Sequence, residues 1–197
     1  MFTGIISDVG TVTSVLPGGV PRYQIETDYD LAGVAIGASI ACSGACHTVV
    51  EKGASWFAVE SSSETLSKTS LGSWATGTRV NLERPLTPAD ELGGHMGSGH
   101  VDGVGTVLSI IADGDCKRFT FTAPDDLMRF IAPKGSITVD GVSLTVNEIG
   151  ADSFGVNIIP HTEANTTFGG FAEGDAVNLE IDLVARYVAR LLEKDNA

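Results

Sequence analysis

Residues 65–83 read TLSKTSLGSWATGTRVNLE, and residues 162–180 read TEANTTFGGFAEGDAVNLE. The second stretch repeats the first with the same spacing of threonine, glycine and alanine and the same final Val-Asn-Leu-Glu run. Two earlier blocks also recur in the same order. In the first block, Met1, Gly4, Val9, Gly10, Thr11, Val12 and Ser14 match Met96, Gly99, Val104, Gly105, Thr106, Val107 and Ser109. In the second block, Ser39, Ile40, Gly44, Thr48, Val49 and Glu51 match Ser136, Ile137, Gly141, Thr145, Val146 and Glu148. The repeat is too long for a solenoid unit and long enough for a domain, so the sequence predicts a duplicated domain.

Both copies contain short runs of Val, Ile and Thr separated by turn residues, which is typical of an all-β barrel or sandwich. Five or six strands in each copy lie too close together for helical crossovers, so we predict two small closed barrels, which avoid exposed strand edges. The predicted domains are residues 1–94 and 95–182, with a linker at 85–92. The predicted strands are 10–15, 23–27, 38–42, 56–60 and 79–83 in the first copy, and 105–110, 118–122, 136–139, 153–157 and 176–180 in the second; short helices are predicted at 63–71 and 125–131.

The last segment, residues 183–197, has no counterpart in the first copy. Asp182 is a suitable N-cap, and apolar pairs follow at helical spacing at positions 183–184, 187–188 and 191–192. We predict a helix here. It either folds back on its own barrel or forms a contact between subunits, and its position outside the duplicated unit makes the second arrangement equally plausible.

Charge and composition exclude several classes of function. The net charge of -13 opposes binding to a phosphate backbone, which depends on Lys and Arg, so we expect no nucleic-acid partner. The N-terminal residues have no basic region or cleavable apolar run, and no window has the apolar length of a membrane span, so we expect a cytoplasmic protein without membrane contact. The three cysteines have no framework spacing, which favours reduced thiols.

The two copies differ at a few positions inside otherwise matched blocks. The differing pairs are Cys46 and Ser143, His47 and Leu144, Ser43 and Asp140, and Ile5 and His100. Drift on a strand could produce any single pair. Because the differences cluster beside glycines and threonines that both copies retain, they favour two related pockets with divided roles.

Cys46 is a candidate nucleophile, although a lone cysteine in a β-rich core is also a common apolar filler. His47 cannot be its partner on a strand, since adjacent side chains point to opposite faces, and His100 is therefore the best candidate. A zinc site that adds Cys42 and His95 to these groups matches no standard ligand spacing, so we expect no metal.

The segment 93–103, GGHMGSGHVDG, contains five glycines but precedes a strand pattern and not a helix, which excludes a dinucleotide-binding loop. The glycines instead permit close approach of the backbone to a flat ligand or to a neighbouring chain. Ser143 lacks the setting of a nucleophile elbow and is better suited to hydrogen bonding or to acid–base assistance.

Four motifs together resemble the riboflavin synthase family of the alpha-chain type. They are Met1-Phe-Thr-Gly-Ile5, the glycine-rich segment 93–103, Asp140-Gly-Val-Ser-Leu-Thr145 and Ile159-Pro-His-Thr162. The resemblance covers essentially the whole chain. It implies a Greek-key fold of two six-stranded barrels with a C-terminal oligomerisation helix and a homotrimer, and it leaves open an association with other enzymes of the riboflavin pathway.

The resemblance further implies that two molecules of 6,7-dimethyl-8-ribityllumazine exchange a four-carbon unit, without cofactor or metal, at a site between barrels of adjacent subunits. The implied catalytic residues are Cys46, His100, Ser143 and Thr145. The implied lining residues are Gly4, Ile5, Ile6, Cys46, His47, Thr48, Glu60, Ser61, Ser62, Ser63, Glu64, Thr65, Gly99, His100, Val101, Lys134, Ser143, Leu144, Thr145, Asn157, Ile158, Ile159, Pro160, His161 and Thr162.

On this interpretation, a proton leaves the C7 methyl of one lumazine while a nucleophile adds to the other, and Cys46 serves as that nucleophile or only shapes its pocket. Ala45 stands where some relatives have a second cysteine, and His47 where an apolar residue is more usual. The principal alternative is a lumazine-binding protein without turnover, and a structural protein built of tandem barrels is a third class. The retained polar residues favour the enzyme.

Overall fold

Two closed antiparallel barrels follow one another along the chain, as the duplicated sequence predicts. The computed structural model describes residues 1–194, so the last three residues of the predicted segment 183–197 lie outside the described residues. Each barrel has six strands, and closure pairs every strand with two neighbours.

The first barrel contains β1 (Asp8–Leu16), β2 (Arg22–Glu26), β3 (Ser39–Cys42), β4 (Ala45–Lys52), β5 (Trp56–Glu60) and β6 (Arg79–Glu83). Their order is β1-β2-β5-β4-β3-β6, and β6 pairs with β1 to close the barrel. The second barrel contains β7 (Gly103–Asp113), β8 (Cys116–Thr122), β9 (Ser136–Val139), β10 (Val142–Ile149), β11 (Ser153–Ile158) and β12 (Ala176–Ile181). It has the equivalent order, β7-β8-β11-β10-β9-β12, so the two copies share one Greek-key topology.

Within residues 1–194, four α-helices lie outside the strands. They are α1 (Ser63–Lys68), α2 (Asp125–Met128), α3 (Pro160–Asn165) and α4 (Leu183–Lys194), and 3-10 turns follow α1 at Ser70–Ser73 and α3 at Thr167–Gly170. The predicted helix 63–71 therefore divides into α1 and a 3-10 turn, and the helix predicted at 125–131 ends at Met128. The set of predicted helices omitted α3. The set of predicted strands omitted β4 and β10.

Each barrel has its own core. In the first, Phe57 and Ile25 are fully buried, and the second contains a group of four buried phenylalanines. Phe119 and Phe168 of that group meet edge to face with their ring centroids 5.3 Å apart. Because each core is filled from its own strands, the surfaces where the barrels meet are available for polar contacts and for pockets.

An ion pair joins the helix α4 to the second barrel. Arg186 forms an ion pair with Asp102 at 2.7 Å, and a second nitrogen of the guanidinium group also reaches that carboxylate. Its apolar stripe points outward, since Val184, Tyr187 and Leu191 are 62%, 61% and 67% exposed. Of the two predicted arrangements, the structure excludes the stripe folding back on its own barrel. Among residues 1–194, no helix has the length and apolar content needed to cross a membrane.

Candidate functional site

The segments that precede β1 and β7 cross each other between the barrels. Phe2 N–H donates to Gly97 O at 2.9 Å, and Gly97 N–H donates to Phe2 O at 3.0 Å. Each segment then reaches the opposite barrel, because Ser143 N–H donates to Gly4 O in one place and Cys46 N–H donates to Gly99 O in the other, both at 2.8 Å. Each barrel therefore receives one wall of its pocket from the leading segment of the other copy.

Two glycines make this crossing possible. Gly4 and Gly99 both have a φ of +76°, a conformation that other residues rarely adopt. A Cβ added to Gly99 would lie 2.6 Å from Cys46 Cβ, and one added to Gly4 would lie 2.6 Å from Ser143 Cβ. Only glycine permits this approach. The glycine-rich segment predicted a close approach to a ligand or to a neighbouring chain, and the structure shows one between the two copies of the repeat.

Two buried carboxylates hold the crossing segments in place. Glu83 accepts hydrogen bonds from Thr3 N–H at 2.6 Å and Gly4 N–H at 2.9 Å. Its counterpart Glu180 accepts them from Ser98 N–H at 2.8 Å and Gly99 N–H at 3.1 Å. Burial raises the pKa of Glu83, and the hydrogen bonds from Thr3 and Gly4 partly offset this.

Glu83 and Glu180 stand out in the sequence only as repeated residues, with no predicted role. An acidic residue ends an apolar strand in both copies, and this pattern could have indicated a buried carboxylate with a structural role. A buried carboxylate is tolerated only when several hydrogen-bond donors surround it. The structure shows that the donors are backbone amides of the two crossing segments.

A cavity of about 290 Å³ opens beside the first barrel. Its walls come from β4, from α1 and from the segment that the second copy contributes. The lining residues are Ala45, Cys46, Glu64, Thr65, Lys68, Thr69, Gly99, His100 and Val101. The structure thus brings together six of the predicted site residues, namely Cys46, Glu64, Thr65, Gly99, His100 and Val101.

Local contacts fix the helix wall of this cavity. The Ser62 hydroxyl caps α1 by accepting a hydrogen bond from Thr65 N–H at 3.1 Å. The helix presents a carboxylate from Glu64, an ammonium from Lys68 and a hydroxyl from Thr65 to the same space. Such a set of donors and acceptors suits a polyhydroxylated ligand.

His47 lies apart from that cavity. It is 4% exposed, and its ring nitrogens contact Ala45 O and Ser61 Oγ, each at 2.9 Å. Burial lowers the pKa of His47, and the hydrogen bond to Ala45 acts in the opposite direction. His47 and Cys46 point to opposite sides of β4, as strand geometry predicts. The structure therefore gives His47 a buried structural contact, whereas Cys46 and His100 share the cavity.

The second barrel repeats the arrangement with different polar groups. Ser143 on β10 is half-buried beside Gly4, and α3 occupies the place of α1 and begins at Pro160. Ile5 and His161 are exposed on this side. Ser143 and the residues 4–6 are thus brought together across the two copies, in the way that Cys46 and residues 99–101 are in the first barrel.

The remaining predicted lining residues differ in exposure. Those on the surface are Thr48, Glu60, Ser62, Ser63, Lys134, Thr145, Asn157, Ile159 and Pro160; those half-buried are Ile6 and Thr162; and those buried are Ser61, Leu144 and Ile158. Leu144 and Ile158 belong to the second core. Asn157 Nδ2 donates to Asp113 Oδ2 at 3.3 Å.

His95 joins this second site, which the sequence analysis did not foresee. Its Nδ1 lies 2.6 Å from Ser143 Oγ, and its Nε2 lies 3.3 Å from Thr138 Oγ1. Burial lowers the pKa of His95, while the charges of Asp182 and Glu180 raise it. His95 was considered from the sequence only as a zinc ligand, and that site was rejected because its residues match no standard ligand spacing. In the described part of the chain, no three His, Cys, Asp or Glu residues are grouped so as to hold a metal ion.

A reciprocal pair of asparagines joins the barrels next to both sites. Asn81 Nδ2 donates to Asp140 O at 2.9 Å, and Asn178 Nδ2 donates to Ser43 O at 2.8 Å. Between them, Gly44 and Gly141 approach so closely that a Cβ on either would lie 2.8 Å from the backbone nitrogen of the other. These contacts fix the distance between Cys46 and Ser143, because each lies on the strand that follows this turn.

The sequence and the fold both match known proteins. A family model described as lumazine binding domain matches residues 3–85 and 98–182. The riboflavin synthase of Brucella abortus (strain 2308) is 50% identical, over 98% of this chain and 98% of the relative. That of Bacillus subtilis (strain 168) is 38% identical, over 100% and 92%. The crystal structure of LumP complexed with riboflavin has a TM-score of 0.86 and 26% identity, over 92% of this chain and 99% of that chain.

Proposed function

The chain belongs to the riboflavin synthase family, with two lumazine-binding domains, and on this premise we propose how its two sites act. It converts two molecules of 6,7-dimethyl-8-ribityllumazine into riboflavin and 5-amino-6-ribitylaminouracil by transfer of a four-carbon unit. The atoms of two lumazines equal those of the two products, so the reaction consumes no other reactant. A single observation carries the proposal. Both copies form a pocket of the same construction, but the polar side chains in the two pockets differ.

Two identical substrates require two similar pockets, while their unequal roles require different polar groups. Cys46 and Ser143 occupy equivalent positions, and each lies under a backbone segment from the other copy. We assign one lumazine to the pocket of Cys46 and His100, where Glu64, Thr65 and Lys68 bind its ribityl chain. The other lumazine lies against Ser143 and Thr145. The boundary between the two binding units falls at residues 94 and 95.

The mechanism begins with loss of a proton from the C7 methyl of one lumazine. The resulting carbanion attacks the second lumazine, to which a nucleophile has added, and the bond to that nucleophile breaks again later in the reaction, so the nucleophile is released unchanged. Binding both rings in fixed positions converts an encounter of two molecules into a reaction within one complex. In this proposal Ser143, His100 and Thr145 orient water or transfer protons, and Cys46 either adds to the second ring or shapes its pocket.

We further propose a homotrimer in the cytoplasm, where other riboflavin-pathway enzymes are available as partners. The support for assembly is the exposed apolar stripe of α4, whose members include Val184, Tyr187 and Leu191. A stripe of this kind on a soluble protein is typical of a surface that another chain covers. We therefore assign residues 183–197 to oligomerisation. The two pockets that react with each other then belong to adjacent subunits.

Deletion of residues 183–197 tests the assembly. The expected result is a smaller sedimenting species with greatly reduced turnover and intact barrels by circular dichroism. A truncated monomer with full activity would exclude a site between subunits. The variant Tyr187→Ala, which shortens the apolar stripe without removing the helix, is the milder control and should weaken the assembly only in part.

The activity itself is tested with the lumazine alone. Incubation of the purified chain with 6,7-dimethyl-8-ribityllumazine, without cofactor, should produce riboflavin at half the molar amount of lumazine consumed. Absorbance distinguishes the two compounds. Tight binding without product would instead support the lumazine-binding alternative, for which the ligand-bound LumP structures are a precedent in fold.

A further inference from the structure

A buried histidine and a buried serine are hydrogen-bonded inside the first barrel. His47 is 4% exposed and Ser61 is 1% exposed, and His47 Nε2 lies 2.9 Å from Ser61 Oγ. His47 is paired with Ile40 across β3 and β4, so both side chains leave the sheet on the face that points to the core. Ser61 follows directly after β5 and precedes Ser62, the residue that caps α1. The hydrogen bond therefore connects β4 to the start of α1.

We propose that His47 is a positioning residue for the first pocket, and that it acts through Ser61 to hold the start of α1 beside β4. The proposal rests on the proposed function, since α1 contributes Glu64, Thr65 and Lys68 to the cavity assigned to one lumazine. His47 and Ser61 are buried and do not line that cavity. Their effect on the reaction is to place the residues that bind the ribityl chain.

The hydrogen bonds of the His47 ring select one tautomer. Ala45 O can only accept a hydrogen bond, and it lies 2.9 Å from His47 Nδ1, so Nδ1 carries the ring proton. Burial lowers the pKa of His47, so the ring is neutral at neutral pH and Nε2 is bare. Ser61 Oγ–H therefore donates to Nε2. The two bonds together fix the orientation of the ring between β4 and Ser61.

The helix α1 has few contacts of its own with the first barrel. None of its six residues is buried. Its one apolar side chain, Leu66, packs half-buried against the first core. A helix of this length is not stable alone in water, because formation of the first turn costs more than its few hydrogen bonds return. The position of α1 therefore depends on the residues that flank it.

The flanking residues attach α1 at both ends. Beyond its C-terminal end, Ser70 N–H donates to Asn178 Oδ1 of the second barrel at 2.7 Å. Before its N-terminal end, Ser61 N–H donates to Pro21 O at 3.1 Å, and the Ser61 hydroxyl donates to His47. Removal of the bond to His47 would therefore weaken the attachment of α1 on its N-terminal side.

The second barrel has apolar residues at the equivalent positions. Leu144 replaces His47, since each is paired with an isoleucine on the preceding strand. Ile158 replaces Ser61, since each stands two positions after a valine that has the same register in the two barrels. Leu144 and Ile158 both belong to the second core. A hydrogen bond has a preferred direction and an apolar contact does not, so the histidine–serine pair gives the first pocket a directional attachment of its helix.

Two substitutions of His47 separate the hydrogen bond from the packing. In His47→Gln, the amide oxygen lies nearly where Nε2 lies and can accept from Ser61, whereas in His47→Leu the side chain only fills space. We expect His47→Leu to raise KM for the lumazine by about 10-fold with little change in kcat, because the displaced helix binds the ribityl chain less well. His47→Gln should keep KM within about 3-fold of the natural value. Equal KM values in the two variants, or a lower kcat at unchanged KM, would overturn the proposal.

The serine supplies an independent comparison. Ser61→Ala removes the donor and should raise KM in the same way as His47→Leu, and the double variant should show no larger rise than either single variant, because both remove one hydrogen bond. Ser67→Ala, at an exposed position of the same helix outside the cavity lining, is the control and should leave KM unchanged. Additive effects in the double variant would contradict the proposal. If His47→Leu does not fold, Ser61→Ala and Ser67→Ala decide the question, and equal KM values in these two would overturn the proposal.

A spectroscopic measurement tests the His47 contact without the reaction. The 15N NMR spectrum of the histidine rings, recorded on the whole chain without substrate at neutral pH, should show His47 protonated at Nδ1 and bare at Nε2. A proton on Nε2 would leave Ala45 O without its donor and would overturn the proposal even if the chain makes riboflavin.

Failure of the proposed function has a different signature. A chain that makes no riboflavin would refute the proposed function but would not decide how α1 is held. Equilibrium dialysis of the lumazine against the natural chain, His47→Gln and His47→Leu would then test the proposal. We expect a weaker dissociation constant in His47→Leu alone, and equal constants in all three proteins would overturn the role of His47.

Discussion

The buried carboxyl of Asp140 makes the stability of the fold depend on pH. Asp140 is 6% exposed at the contact between the barrels, and its Oδ1 accepts a hydrogen bond from Asn178 N–H at 2.6 Å. Burial raises the pKa of Asp140 to about 7, although the hydrogen bond from Asn178 lowers it in part. An aspartate in an unfolded chain has a pKa of about 3.9.

The sign of the effect follows from these two pKa values. Between pH 4 and 7 the folded chain keeps a proton on Asp140 that the unfolded chain has released, so stability falls as pH rises through this range. From pH 5.5 to 8 the loss from this one group is about 2 kcal/mol. In Asp140→Asn the amide does not titrate and this loss is absent. The free energy of unfolding of the variant, relative to that of the natural chain, should therefore rise by about 2 kcal/mol over the same range.

Urea unfolding followed by far-ultraviolet circular dichroism measures the difference. Both proteins are compared at one fixed concentration because assembly contributes to apparent stability. The window begins at pH 5.5 to stay above the pI near 4.5, where low net charge promotes precipitation. Asp115→Asn, which removes one carboxyl at an exposed position, is the matched control, and the change with pH should be larger in Asp140→Asn than in this variant. Parallel curves for Asp140→Asn and the natural chain would show that the Asp140 carboxyl is ionised throughout and would refute the reasoning.

Three further substitutions test the site and the contact between barrels. Gly99→Ala should reduce turnover strongly and also destabilise the chain, because the added Cβ would lie 2.6 Å from Cys46 Cβ; Gly19→Ala, where the Cβ meets open space, is its control in assays of activity and melting temperature. Cys46→Ser should lower kcat by about 100-fold or more if the thiolate adds to substrate, whereas a rate within a few-fold of natural would exclude the covalent role. Asn81→Ala should lower the free energy of unfolding in urea by about 3 kcal/mol, because Asp140 O and Thr167 N–H lose their hydrogen-bond partner at the contact between the barrels. A decrease below about 1 kcal/mol would mean that water replaces the amide.

The repeat and the pattern of its residues were sufficient to predict two closed barrels and most of their strands. Alternation of short apolar runs is a local property, and both copies carry it independently. Individual site residues, such as Cys46 and His100, were predictable because each belongs to a recognisable strand or segment of the sequence. Their pairing was expected because His47 cannot face Cys46 on a strand, which left His100 as the best candidate, although the two residues lie on different copies.

Contacts between residues distant in sequence were outside the reach of any local pattern. His95 and Ser143 are brought to 2.6 Å by the crossing segments, and Glu83 is enclosed by amides from the start of the chain. The packing of one copy against the other determines which polar side chains line each pocket. That packing depends on close contacts such as the one between Gly44 and Gly141. The sequence by itself therefore determined the fold of each copy and its family. Only the tertiary structure decided that each copy completes the pocket of the other, because hydrogen bonds and burial at that contact exist only after both barrels have formed.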